Sequence, residues 1–112
     1  MAGWFDLKRA KDGQFFFTLV AGNGEIVGKS EMYKAKTSAL NGIESVKKNA
    51  PDRARFKDPW EGNGGKCYFS LKARNGEVIL ASQGYSSQSA AEDGIGAVQR
   101  AADGAATKDI SG

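Results

Sequence analysis

The residue types that most often do chemistry are sparse in this 112-residue chain. Histidine is absent, which removes histidine triads and histidine-ligated metal sites. The single cysteine, Cys67, has no imidazole to deprotonate it and reads as a small buried hydrophobe rather than a nucleophile. Glu25 and Glu77 each follow an Asn-Gly pair. Two carboxylates in equivalent surroundings have no reason to separate their pKa values, so they read as solvated charge beside turns rather than an acid–base couple. Tyr33 and Tyr85 also recur at matched places. They could form paired ligand contacts, but matched positions usually serve packing, and each ring is expected to close an edge of the core. Gly62-Asn63-Gly64-Gly65 lacks the lysine and following helix of a phosphate loop and reads as a turn. What remains is Phe16 and Tyr68 with Lys29 and Lys72. Aromatic rings beside lysines are the types that stack on bases and neutralise phosphates.

These residues lie on two copies of one pattern. Phe15-Phe16-Phe17-Thr18-Leu19-Val20-Ala21-Gly22-Asn23-Gly24-Glu25-Ile26-Val27-Gly28 returns 52 residues later as Cys67 to Leu80. Each copy reads as two strands joined at Asn-Gly, whose residues suit the positive φ of a type I′ turn. With Asn23 and Gly24 as central residues, Ala21 faces Ile26 and Leu19 faces Gly28. Alternation then puts Phe15, Phe17, Leu19, Ala21 and Ile26 on the core face, and Phe16, Thr18, Val20, Val27 and Lys29 on the other. Ahead of the hairpin, Trp4 to Lys8 reads as a strand with Phe5 and Leu7 inward. After it, Ala39, Ile43, Val46 and Ala50 form one stripe of a helix from Lys36 to Asn49, stopped by Pro51. The second helix, Ser87 to Ala102, repeats the stripe as Ala91, Ile95, Val98 and Ala102. Gly42 and Gly94 inside the helices imply a close approach of helix to sheet. Arg53 to Asp58 reads as a strand that Pro59 ends or confines to an edge, and Ala105 to Ile110 as a last strand. Identities between the copies fall on the turn, the core face and the helix stripe, where shared packing geometry preserves them.

Length and composition suit one compact domain, 1–112, made of two repeats at about 1–58 and 53–112. No apolar run approaches the roughly 18 residues of a membrane span. A secretory signal is not expected from the first residues, and one unpaired cysteine suits the cytoplasm. The net charge of +3 is mild. Residues 1–56 hold 10 basic and 6 acidic side chains, against 6 and 7 in residues 57–112. The simplest reading is a solvated surface, because nucleic-acid binders concentrate charge more strongly.

The run Leu19-x-Ala21-x-Asn23-Gly24-Glu25, followed by Tyr33 and by Asn41-Gly42-Ile43-Glu44-Ser45-Val46-Lys47-Lys48-Asn49-Ala50-Pro51, resembles the YegP-like family of small uncharacterised proteins. The resemblance covers nearly the whole chain, with Asp93 to Arg100 a looser copy of the helix motif. It implies a β3-α-β unit used twice, joined in one antiparallel sheet with exchanged last strands and both helices on one face. It brings no activity, cofactor or catalytic residue.

The expectation is therefore an α+β protein of two tandem β3-α-β repeats, a monomer with internal pseudo-symmetry. No catalytic residue, cofactor, metal or membrane contact is expected. Two helices cover one sheet face; the other would expose Phe16, Val20, Val27, Tyr68, Lys72 and Ile79. An apolar patch with polar neighbours marks an interface, so a non-enzymatic interaction module with an unknown protein partner is the leading reading. A weak single-stranded nucleic-acid binder is the alternative, and an enzyme ranks last.

Overall fold

The computed structural model describes residues 3–111. Its elements follow the order β1 (Trp4–Arg9), β2 (Phe15–Val20), β3 (Ile26–Lys29), α1 (Lys36–Asn49), β4 (Phe56–Glu61), β5 (Cys67–Lys72), β6 (Val78–Ala81), α2 (Gln88–Ala102) and β7 (Ala106–Asp109). All seven strands form one sheet in the order β4-β5-β6-β3-β2-β1-β7. Every junction is antiparallel except β1–β7, which is parallel. The first unit supplies β1, β2, β3 and α1, yet β4 pairs with β5 of the second unit. The tail strand β7 crosses back to pair with β1, whereas β4 forms a hairpin with β5 just as β1 does with β2. The α+β repeat architecture is as expected.

The helix stripes do what their spacing implies. Ala39, Ile43 and Val46 of α1 and Ala91, Ile95 and Val98 of α2 are buried. Most of them join one apolar cluster with Phe5, Phe17, Leu19, Phe56, Phe69, Leu71 and Leu80. Both helices therefore lie on that face of the sheet. Ser87 caps α2 by accepting from Ala90 N–H at 3.0 Å, and Gln99 of α2 donates to the Ala50 carbonyl at the end of α1 at 2.9 Å. The helix glycines answer to the tyrosines. A Cβ on Gly42 or Gly94 would lie 2.5 Å from the Tyr33 or Tyr85 hydroxyl oxygen. Each ring stacks on a core phenylalanine, Tyr33 on Phe17 at 6.3 Å and Tyr85 on Phe69 at 5.9 Å. The close approach is thus ring to helix, and the tyrosines serve the fold.

The hairpin turns differ from the type I′ expectation. In each, the N–H of Gly24 or Gly76 bonds back to the Ala21 or Ala73 carbonyl, and that alanine's N–H to Glu25 or Glu77. Only the glycine has positive φ, 90° and 87°. Asn23 and Asn75 stay in ordinary backbone space and accept from the N–H of Glu25 and Glu77 through Oδ1 at 3.0 Å. This is a three-residue turn with glycine in the left-handed position. It adds one residue to the loop. Leu19 still faces Gly28, but Val20 faces Ile26, and Val27 becomes the extra residue between them. The second hairpin repeats the shift, with Leu71 facing Leu80 and Lys72 facing Val78.

Two further expectations move. Arg53–Arg55 is a 3₁₀ turn capped by Asp52 rather than strand, and β4 begins at Phe56. The strand continues past Pro59 to Glu61 as an edge strand, with a register shift between Lys57 and Trp60. That irregularity absorbs proline's missing N–H.

Candidate binding face

Strand alternation and register define the face away from the helices. Phe5, Leu7, Phe17, Leu19, Phe56, Phe69 and Leu71 point into the core. Trp4, Asp6, Lys8, Phe16, Thr18, Val20, Lys57, Trp60, Tyr68, Ser70 and Lys72 therefore point the other way. Cross-strand partners share a face, which adds Ile26 opposite Val20, Val78 opposite Lys72, Ala81 opposite Lys29, and Lys108 opposite Asp6. None of the described elements covers this side.

The turn geometry corrects two residues expected here. Val27 and Ile79 are both 6% exposed and belong to the main apolar cluster. Ile26 and Val78 take the outward places instead, at 45% and 43% exposed. A one-residue slip exchanges the faces of neighbours. Val20 does share the face with Trp4 but is buried. Phe16, Tyr68 and Lys72 are half-buried on it.

Direct partners trace one continuous row across the whole sheet: Lys57, Ser70, Ala81, Lys29, Thr18, Asp6 and Lys108. At roughly 4.8 Å per strand the row is about 29 Å long. Lysines occupy its first, fourth and seventh places, about 14 Å apart. On one side of the row lie Trp60, Tyr68, Ile26, Val20 and Trp4, with no charge among them. On the other lie Lys72, Val78, Phe16 and Lys8. The strands of this face carry five lysines and one carboxylate, and Glu31 and Glu77 line the depression beside Lys29, Val78 and Ala81, where the whole chain has 16 basic and 13 acidic residues. This concentration is invisible in the mild net charge.

Each row lysine rests on a ring. Lys57 Nζ lies 4.5 Å from the Trp60 ring centre, Lys29 5.0 Å from Phe16, and Lys108 4.2 Å from Trp4. Such contacts contribute about 0.5–1 kcal/mol each at exposed sites. Trp60 and Tyr68 also pair, with centres 6.3 Å apart and planes tilted by 33°. Thr18 and Ser70 are both only 4% exposed. Among the described residues, Thr18 Oγ1 is the buried side-chain oxygen that lacks a hydrogen-bond partner.

The sequence alone placed Phe16, Tyr68, Lys29 and Lys72 on this face but did not place Trp4, Trp60, Lys57 and Lys108 there. Trp4 could have been found from the alternation that put Phe5 inward. The other three required knowing which strands lie beside one another.

The remaining candidates do not assemble. Cys67 is buried in the core cluster. Burial, followed by nearby glutamates, raises Tyr33 and Tyr85 above their ordinary range, so both hydroxyls stay protonated at neutral pH. A wide groove of about 780 Å³ between the first turn and the end of α2 is lined by small residues with Asn23, Arg100 and Asp103. It lies away from the lysine row.

A family model described as a domain of unknown function, DUF1508, matches residues 10–56 and again 63–109. A UPF0339 protein of Pseudomonas aeruginosa is 53% identical over 111 residues, covering 99% of this chain and 100% of the relative. The UPF0339 protein YegP of Escherichia coli K12 is 48% identical over 99 residues, 88% of this chain and 89% of the relative. The solution NMR structure of the Escherichia coli protein of unknown function YegP superposes with a TM-score of 0.92 at 44% identity, covering 100% of this chain and 96% of that one.

Proposed function

This chain belongs to the DUF1508 family, whose description assigns no activity, and from that premise we propose that it is a non-enzymatic binding module that holds an acidic partner on the uncovered sheet face. The observation that carries the reading is the row of Lys57, Lys29 and Lys108, each resting on an aromatic ring, on a face whose strands hold five lysines and one carboxylate, with Glu31 and Glu77 at one margin. Acidic partners are attracted to such a surface and oriented by it. The edges are poorer docking sites. On β4, Pro59 removes a donor and the register shift bends the strand; β7 is four residues long. Both are devices that discourage strand addition.

Histidine is absent, and among the described residues no group of three or more Cys, Asp or Glu side chains is placed to hold a metal ion. No described helix is long and apolar enough to cross a membrane.

The test is retention on immobilised heparin, a generic polyanion. A triple variant Lys29→Glu, Lys57→Glu and Lys108→Glu should elute at markedly lower salt than the unchanged protein. A control triple at exposed positions off the face, Lys11→Glu, Lys34→Glu and Lys48→Glu, changes net charge equally and should elute much later than the face triple. Equal loss in both triples would show only a net-charge effect and overturn the reading.

A further inference from the structure

Resting on that reading, we propose that the acidic partner is single-stranded nucleic acid, its backbone lying along the lysine row and its bases turned towards the Trp60–Tyr68–Ile26–Val20–Trp4 band. The face is polarised across the row. One flank is apolar, aromatic and uncharged; the other mixes Lys72 and Lys8 with Phe16 and Val78, is bordered by Glu31 and Glu77, and runs into a depression of about 230 Å³ lined partly by Arg55, Lys57, Lys72 and Arg74. An acidic protein surface could meet the cations and pack side chains on the rings, but only a nucleic-acid strand carries flat rings and charges in regular alternation. A single strand needs both, because every base offers a face to stack and every phosphate a charge to neutralise.

The polarity arises where the two repeats differ. The paired core positions Phe17 and Phe69, Leu19 and Leu71, and Ile43 and Ile95 are identical. The paired open-face positions are Phe16 and Tyr68, Val20 and Lys72, Lys8 and Trp60, and Lys29 and Ala81. A symmetric face would offer both flanks alike. These exchanges leave one side uncharged, with Trp60 and Tyr68, and put Lys72 and Lys8 with Phe16 on the other.

The lysines that cover the rings do not block the site. A lysine over an exposed ring gains less than a stacked base does, and a phosphate is a better partner for the ammonium than the ring. Binding would therefore move Lys29 from Phe16, Lys57 from Trp60 and Lys108 from Trp4 onto the backbone, freeing ring faces as the charges are neutralised. The unpaired Thr18 hydroxyl lies in the same row, between Lys29 and Asp6.

The test uses the full chain and fluorescein-labelled twelve-nucleotide oligothymidine and oligouridine, read by anisotropy. Three neutralised phosphates give a single-strand salt slope of about −2, so affinity should fall about 18-fold between 50 and 200 mM salt. Lys29→Gln should flatten that slope by about 0.7. Trp60→Ala should weaken binding at least about fivefold, and Trp60→Phe should retain it. A blunt duplex of the same length, whose bases are stacked inside, should bind more weakly than the single strand. Unfolding of the alanine variant is monitored by circular dichroism, and Tyr68→Leu supplies a second ring-removing variant. Binding that responds to Lys29→Gln but to neither ring variant overturns this inference while leaving the acidic-partner reading intact. Binding of polyglutamate with none of the oligonucleotides does the same. Absence of binding to oligonucleotide, polyglutamate and heparin alike overturns both.

Discussion

Replacing Thr18 by valine should make the protein more stable. Its Oγ1 is shielded from solvent and unpaired, and an unpaired buried hydroxyl costs about 1–3 kcal/mol. Valine puts a methyl group in nearly the same space and suits a strand. No further layer packs over this face, so the low end of that range applies and the gain should be about 1 kcal/mol. For a domain of this size that raises the melting temperature by about 4 °C. Ser70, the counterpart in the second repeat, has no such deficit among the described residues. Ser70→Ala should change stability by under about 0.5 kcal/mol. Urea and thermal melts followed by circular dichroism measure both, with an unchanged urea slope confirming that the transition is the same. A Thr18→Val protein that melts at or below the unchanged protein, or a Ser70→Ala protein that gains equally, refutes the reasoning. Should the hydroxyl serve a bound strand, the stabilised variant will also bind oligothymidine more weakly, a stability–function trade-off at one atom.

Ile26→Lys should be tolerated within about 0.5 kcal/mol, because Ile26 faces solvent, whereas Val27→Lys should abolish cooperative melting; the reverse pattern would restore the type I′ register. Gly42→Ala should cost about 1–2 kcal/mol despite the helix propensity of alanine, since its Cβ would press on the Tyr33 hydroxyl at 2.5 Å and on Phe17 at 3.0 Å. Pairing it with Tyr33→Phe should recover part of that loss, and strict additivity in a double-mutant cycle would rule out the contact. Asp109 is held down to about 2, first by Lys36 and then by Ser111. Its contribution to stability is therefore present above the ordinary carboxylate value and lost as pH falls towards 2. The melting-temperature difference between the unchanged protein and Asp109→Asn should shrink from pH 5 to pH 2, and a constant difference would show that Asp109 does not titrate against Lys36.

Much of this fold is legible because its local signals agree. The Ala39-Ile43-Val46 stripe, the Pro51 stop and the Asn-Gly turns each point to the same units, and the 52-residue repeat says they occur twice. The turn type was not legible. Asn23-Gly24 satisfies type I′ chemistry, but it satisfies a three-residue turn with only Gly24 at positive φ equally well, and the choice decides whether Ile26 or Val27 faces the core. The site was legible only in part for a different reason. Phe16 and Lys29 lie 13 positions apart, on strands joined by one turn. Trp4 and Lys108 meet only because the tail returns to the first strand, and no local pattern encodes that return.

A ribosome delivers this fold out of order. The β1 edge at Trp4–Leu7 is made early, but its neighbour, Ala106–Asp109, follows about 100 residues later. At about 5–20 residues per second that interval is on the order of 5–20 s. Throughout it, a strand carrying Phe5 and Leu7 offers an unpaired edge to whatever lies nearby. Where several copies are translated from one message, the tail of a finished chain can reach the waiting edge of its neighbour, and a swapped dimer becomes the product of crowding. The speed with which the last strand finds the first is thus a property of synthesis as much as of stability, and slow translation of the residues between them would lengthen the exposure.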